Sequence, residues 1–330
     1  MKKIVSFFGE PSPVFDALNQ QAKEYAAQKG FDYSWVPQKP FDQDAVIRCL
    51  QESDMGLIDV EPYGEEIFSA IEGKCPLLVR FGVGFDKVDL AAASRHGIAV
   101  ARTTGANASG VAEMALTLIL ACRRELQPNR HRCIETGHWD KYIANETAGA
   151  TIGILGFGAI GRLLAKLMLG LGCTVIAYDP YPNEALAREL GVRLVDLDEL
   201  FTTADAISVH VPYSAETHHM VNAERLAQMK PTSVIVNTAR GNIIDEDALY
   251  DALKAGQIRG AGLDVYAVEP LPADSKLLEL DNLILSPHFS SQTVESLWNT
   301  YKMAIDITAD FYDGKDSPHI LNPDYKAAKK

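Results

Sequence analysis

A chain of 330 residues, 47% of them hydrophobic, is long enough for two cored domains of about 150 residues each, and its composition gives no sign of disorder. The net charge of −13 argues against a nucleic-acid-binding or anionic-membrane surface, although a local positive pocket could still take an anion. Five scattered cysteines (Cys49, Cys75, Cys122, Cys133, Cys173) include no Cys-x-x-Cys pair, so neither a disulfide framework nor a metal site is expected. The apolar run Ile4 to Phe8 is too short for a signal peptide, and no run is long enough to span a membrane. The expectation is a cytoplasmic protein with reduced cysteines.

In chain order, strands are predicted at Lys3 to Phe8, Tyr33 to Val36, Gly56 to Asp59, Leu77 to Arg80 and Ala99 to Ala101. Helices are predicted between them: Val14 to Lys29, stopped by Gly30, then 42–52, 63–72 and 88–96. Such alternation implies parallel βαβ units and a doubly wound sheet. A long helix over Ala106 to Arg124, with another near 128–136, reads as a crossing into a second domain. There the alternation restarts, with strands near 151–155, 174–178, 206–211, 233–237, 260–264 and 283–285. Asp245 is a plausible N-cap for a helix ending at Gly256. After Pro287 one helix, Thr293 to Tyr312, is stopped by Gly314, and a lysine-rich tail runs from Lys326 to Lys330. A lone last helix cannot complete a new domain, so it is expected to return to the first. The expected domains are therefore 1–101 with 293–330, and an inserted 102–292.

The inserted part opens on Ala150-Thr151-Ile152-Gly153-Ile154-Leu155-Gly156-Phe157-Gly158-Ala159-Ile160-Gly161. This is a strand, a glycine turn and the start of a helix, the pattern of a dinucleotide site. Gly156 permits the tight turn, Gly158 lets backbone approach a pyrophosphate, and Gly161 lets helix pack on strand. The anion would rest on free N–H groups at the helix N-terminus. About 20 residues further on, the run Thr174 to Tyr178 ends at Asp179. An acid there accepts from ribose hydroxyls and repels a 2′-phosphate, which favours NAD over NADP.

Three residues lie just past predicted strands of this half, where open α/β sheets bind ligands: Arg240, Glu269 and His288. Together they suit hydride transfer from a 2-hydroxy acid. A guanidinium grips a carboxylate with two parallel hydrogen bonds. A histidine titrates near neutrality and can exchange the hydroxyl proton. A carboxylate beside it favours the imidazolium and fixes the ring.

These stretches resemble the D-isomer-specific 2-hydroxyacid dehydrogenases. The resemblance is carried by Arg80 to Asp86, Gly105 to Glu113, the glycine turn, Val209 to Pro212 with Glu216-Thr217, Asn237 to Gly241, Gly262 to Pro270 and Ser286 to His288. It implies a flavodoxin-like substrate domain and an inserted Rossmann NAD-binding domain. It implies that Arg240 orients the substrate carboxylate, aided by the N–H groups of Val83 and Gly84, and that His288 and Glu269 form the acid/base pair. For the cofactor it implies contacts from Gly156, Gly158, Ala159, Ile160, Gly161 and Asp179, and from His210, Val211, Pro212, Thr217, Thr238 and Ala239. Asp264 would hold the nicotinamide carboxamide. The implied partners are a small 2-hydroxy or 2-keto acid and a second copy of the chain, in a homodimer formed through the nucleotide domain.

The turn Asp59-Val60-Glu61-Pro62-Tyr63-Gly64 departs from phosphoglycerate dehydrogenases, whose Ser/Thr- and Arg-bearing turn serves a phosphate, and its two acids would repel one. The chain's end at Lys330 leaves no room for the regulatory domains of many such enzymes. Both features turn the expectation away from 3-phosphoglycerate. Two other classes share the resemblance: corepressors that sense NAD(H) and bind peptides, and enzymes that hydrolyse with bound NAD. The lack of added segments favours the dehydrogenase reading over both.

Overall fold

The computed structural model describes residues 1–139 and 141–327; the last part of the lysine-rich tail lies outside the described residues. From the N-terminus the elements are β1 (Lys2–Ser6), α1 (Pro13–Gln28), β2 (Phe31–Trp35), α2 (Gln43–Gln51), β3 (Met55–Ile58), α3 (Glu65–Ile71), β4 (Leu77–Arg80), α4 (Leu90–Arg95) and β5 (Ala99–Arg102). There follow α5 (Ala108–Arg123), α6 (Leu126–Asn129), β6 (Thr151–Leu155), α7 (Ala159–Gly170), β7 (Thr174–Tyr178), α8 (Glu184–Leu190), β8 (Arg193–Leu194), α9 (Leu197–Thr203) and β9 (Ala206–Val209). The last elements are α10 (Ala223–Gln228), β10 (Val234–Asn237), α11 (Glu246–Lys254), β11 (Gly260–Leu263), β12 (Leu283–Leu285) and α12 (Val294–Tyr312). They form two compact units, 1–107 with 292–330 and 108–291.

The first unit is a five-stranded parallel sheet in the order β2-β1-β3-β4-β5, the flavodoxin-like arrangement. The central strands β3 and β4 are buried along their whole length because helices cover both faces, whereas β2 at the edge alternates buried and exposed residues. Ile4, Leu57 and Val79 face one layer with Tyr301 and Ile305 of α12, while Val5, Ile58 and Leu78 face the other with Val46, Phe68 and Ala92. Thr293 caps α12 by accepting from the Ser296 N–H. The helix then packs beside α1, where the Tyr25 hydroxyl donates to Asp306 at 2.8 Å. Residues 102–107 stay with this sheet because Arg102 pairs with Arg80 in the ladder and Thr103 Oγ1 accepts from the Gly82 N–H at 2.8 Å.

The second unit is a seven-stranded parallel sheet in the order β12-β11-β10-β9-β6-β7-β8. The strand order reverses between β6 and β9, which makes their carboxyl ends the place for a ligand. The buried helix α5 packs on α7 and lies so close to β11 that a Cβ on Gly262 would sit 3.0 Å from Leu118 Cβ. Two details depart from the periodicity. The helix expected at 128–136 is the short α6 followed by a π-helical turn, Arg130–Glu135. The two-residue β8 has too little sequence to signal itself and exists because it pairs with Ile176 and Ala177 of β7.

Candidate active site

The glycine turn follows β6 and is built as its residue types require. Gly156 sits at φ +105°, and a Cβ on it would come within 2.6 Å of Val211 N. A Cβ on Gly161 would lie 2.3 Å from the Gly156 carbonyl oxygen, so α7 could not close onto β6. Gly158 is different: a Cβ there meets nothing within 4 Å. No contact among the described residues accounts for that glycine, and the open space leaves room for a ligand to approach the backbone. Gly158 is also the N-cap of α7, with no side chain capping the helix, so the N–H groups at Ala159, Ile160 and Gly161 lie at an uncapped N-terminus. Asp179 follows β7 as expected and braces the turn. Its Oδ2 accepts from the Phe157 N–H at 2.8 Å, and its Oδ1 accepts from the Tyr181 N–H at 2.8 Å. A carboxylate has about four acceptor positions, which leaves capacity for ribose hydroxyls.

Past β9, His210 binds back to the sheet through the His210 N–H to Leu155 O, 2.7 Å. Its Nε2 meets Ser208 Oγ at 2.8 Å, and desolvation pushes its pKa down to about 4, so the ring is neutral near pH 7. Among the described residues, its Nδ1 and the buried Thr238 Oγ1 have no hydrogen-bond partner. Orphaned polar atoms at the ends of β9 and β10 fit a bound polar ligand, which supports a dinucleotide here. Val211 is buried, and Thr217 closes the next turn by donating to Pro212 O at 2.7 Å.

Arg240, Glu269 and His288 follow β10, β11 and β12, three consecutive strands in register, with Asn237 opposite Leu263 and Leu263 opposite Leu285. Neighbouring strand ends thus bring together residues far apart in sequence. The Asn237 side chain shapes the first turn, donating to Arg240 O at 2.8 Å and accepting from the Ala239 N–H at 2.9 Å. Arg240 Nη1 donates to Ala239 O at 2.7 Å. His288 Nδ1 lies 2.7 Å from Glu269 Oε2, and Glu269 Oε1 accepts from the Tyr266 N–H at 3.0 Å. Burial pushes the Glu269 pKa up, but the bonds from His288 and Tyr266, with the charges of His288 and Arg240, hold it below the usual carboxylate value. Both side chains remain partly exposed, at 45% and 36%, so a small molecule can reach the imidazole.

Asp264 is fully buried, and its carboxylate faces the protein. Oδ1 accepts from Ser286 Oγ at 2.6 Å and from the Phe289 N–H at 3.1 Å. Oδ2 accepts from the Ser290 N–H at 2.9 Å and from Ser290 Oγ. Nothing in the sequence around Ser286 and Ser290 marks this use, because their partner lies more than 20 positions away. Gly241 was likewise unmarked. A Cβ on it would overlap the Tyr266 carbonyl carbon at 1.9 Å, so this glycine seats the Arg240 turn against the Glu269 turn. Val83 and Gly84 follow β4 in the first unit, in the loop whose Gly82 takes φ +119°.

No helix among the described residues is long and apolar enough to cross a membrane. The family model of the "D-isomer specific 2-hydroxyacid dehydrogenase, NAD binding domain" matches residues 116–290. The glyoxylate reductase of Korarchaeum cryptofilum is 34% identical over 297 residues, covering 87% of this chain and 88% of that protein. The hydroxypyruvate reductase of Thermotoga maritima is 39% identical over 290 residues, covering 86% and 92%. Among solved structures, a D-2-hydroxyisocaproate dehydrogenase superposes with a TM-score of 0.87 at 26% identity, covering 98% of this chain and all of that one. A dinucleotide turn, a neutral strand-end histidine and an Arg/Glu/His set on adjacent strands agree with these likenesses: the chain belongs to the D-isomer-specific 2-hydroxyacid dehydrogenase family and is an NAD-dependent oxidoreductase of hydroxy acids.

Proposed function

We propose that this enzyme interconverts a small D-2-hydroxy acid and its 2-keto acid, with Arg240, Glu269 and His288 as its working residues. The observation that carries the reading is the His288 Nδ1 to Glu269 Oε2 contact of 2.7 Å, on strands adjoining the one that presents Arg240. Arg240 holds the substrate carboxylate. In the reducing direction, Nε2 of the His288 imidazolium gives its proton to the C2 oxygen as charge develops there. In the oxidising direction the neutral ring takes that proton back. Glu269 fixes the ring's orientation and stabilises its charged form. When bound, NAD(H) supplies the hydride chemistry at C2. Gly158, Thr238 and His210 are proposed to meet the cofactor, with Ala159, Ile160, Gly161, Val211, Pro212, Thr217 and Ala239 around it and Asp179 at its ribose. The family resemblance supports Val83 and Gly84 as backbone donors to the substrate, and the first unit as a substrate domain.

The relatives that reduce glyoxylate and hydroxypyruvate support a substrate with a small or hydroxylated substituent. The turn 59–64 supports it too, since its two acids, Asp59 and Glu61, would repel a phosphate on the substituent. A second copy of the chain is the proposed partner. Leu126, Ile134, Trp139, Tyr142 and Ile143 form an exposed apolar run on the nucleotide-binding unit, the unit through which the family resemblance implies dimerisation.

NADH oxidation with glyoxylate, hydroxypyruvate, pyruvate, phenylpyruvate and phosphohydroxypyruvate tests the reading. Glyoxylate and hydroxypyruvate should turn over fastest, and His288→Ala should slow them on the order of 10²–10⁴-fold. Preference for the phosphorylated acid, or an equally fast variant, would overturn the substrate and the proton-transfer assignments respectively.

A further inference from the structure

The loop that follows β4 is held by the two residues that end and follow β5. Arg102 is the last residue of β5, lies opposite Arg80 in the ladder, and donates its N–H to His319 O at 3.0 Å. Thr103 is fully buried and takes Gly82 from both sides. Its Oγ1 accepts from the Gly82 N–H at 2.8 Å, and its N–H donates to Gly82 O at 3.1 Å. Arg102 takes the next carbonyl. Its Nη1 donates to Val83 O at 3.4 Å, a long contact kept in place by the Phe85 ring, whose centre lies 5.3 Å from the guanidinium carbon.

These two carbonyls matter because of the peptide bond. Gly82 O shares a peptide plane with the Val83 N–H, and Val83 O shares one with the Gly84 N–H. In a planar trans peptide the N–H points opposite to the C=O, so fixing the oxygen fixes the direction of the hydrogen. Both oxygens are tied to the end of β5, so both N–H groups are turned away from it. Among the described residues neither N–H has a hydrogen-bond partner. Arg102 adds charge to this geometry. A cation on Val83 O polarises that peptide and makes the Gly84 N–H a stronger donor.

We propose that Arg102 is a positioning residue for the substrate carboxylate: with Thr103 it aims the Val83 and Gly84 N–H groups, and through Val83 O it strengthens the second of them, without touching substrate itself. The proposal rests on those two N–H groups meeting the substrate, and its test keeps the two apart.

Arg102→Met keeps the apolar stem, and Arg102→Lys keeps a cation over Phe85; Arg102 is partly exposed, so neither change opens the core. Both are compared with the parent for NADH dissociation constant, and for kcat and KM with glyoxylate, hydroxypyruvate and pyruvate. Hydrogen exchange of the segment 81–86 is followed in the same proteins without substrate. Arg102→Met should raise KM about tenfold, the size of a lost charge-assisted hydrogen bond, with kcat within about threefold and NADH affinity within about twofold. The factor should be the same for all three acids, which share the carboxylate and differ in the substituent. The segment 81–86 should exchange faster, and Arg102→Lys should recover most of the KM. A rise confined to one acid would put the guanidinium against the substituent and overturn the proposal. A uniform rise with unchanged exchange would put it on the carboxylate itself and overturn it as well. NADH binding weakened as much as KM would reduce Arg102 to a general support of the fold. Unchanged KM with unchanged exchange would show that there is no brace to lose. Unchanged KM with faster exchange would instead sink the reading of Val83 and Gly84 as substrate donors.

Discussion

His288 sits in a strained backbone conformation, which costs on the order of 1–3 kcal/mol for a non-glycine residue. Strain of that kind is kept where geometry is worth more than stability, and here it aims an imidazole at a carboxylate. Glu269 remains ionised below the usual carboxylate range because its bonds to His288 and to the Tyr266 N–H outweigh its burial. The sign of its contribution follows: the pair is intact at neutral pH and weakens as pH falls through the depressed Glu269 pKa. Glu269→Gln removes the charge that favours the imidazolium. On the proposed proton transfer, reduction uses the charged ring, so it should then fail at a lower pH than in the parent, and oxidation should persist to lower pH. Rate profiles in both directions check this, and an alkaline limb of reduction that does not move would count against the pairing.

Among the elements, the β6–turn–α7 unit separates the tasks of its glycines. Gly161 is required by packing, since a Cβ there would strike the Gly156 carbonyl at 2.3 Å. A Cβ on Gly158 would meet no contact among the described residues. Gly161→Ala should therefore lower the unfolding free energy by about 1–3 kcal/mol, the usual cost of overpacking. Gly158→Ala should leave the denaturation midpoint nearly unchanged while weakening NADH binding about tenfold or more. Chemical denaturation beside a fluorescence titration separates the two, and a Gly158→Ala protein that binds NADH as tightly as the parent would remove the cofactor's claim on that residue. The ends of β10, β11 and β12 depend on one another in the same way. Gly241 lets the Arg240 turn lie directly on the Tyr266 backbone, and the Glu246 side chain accepts from the Ala267 N–H at 2.6 Å, tying α11 to the turn that bears Glu269.

On the scale of the whole molecule, the proposed dimer has a location. Ile143 is 89% exposed and Trp139 71%, and large apolar side chains concentrated in one segment are unusual on a monomer. A specific interface needs roughly 800 Å² from each partner, more than these residues supply alone, so neighbouring parts of the unit would join them. Sedimentation velocity should show a dimer, and Trp139→Glu combined with Ile143→Glu should shift it toward monomer with each unit still folded. A double variant that stays dimeric would place the interface elsewhere.

The sequence by itself determined the alternation of strands and helices, the glycine turn with Asp179 behind it, and the residue types Arg240, Glu269 and His288. These signals are local: hydrophobic period, cap chemistry, and turn residues within a few positions of one another. It did not determine β8, the π-helical turn at Arg130–Glu135, or the uses of Asp264, Ser290 and Gly241. Tertiary structure decided those, because parallel strands pair through long crossovers and bring together backbone that lies tens of residues apart. Asp264 shows the difference most plainly. Its residue type and its place after β11 were legible, but the donors its carboxylate takes from Ser286 and Ser290 come from beyond β12, and only the register of Leu263 with Leu285 puts them there.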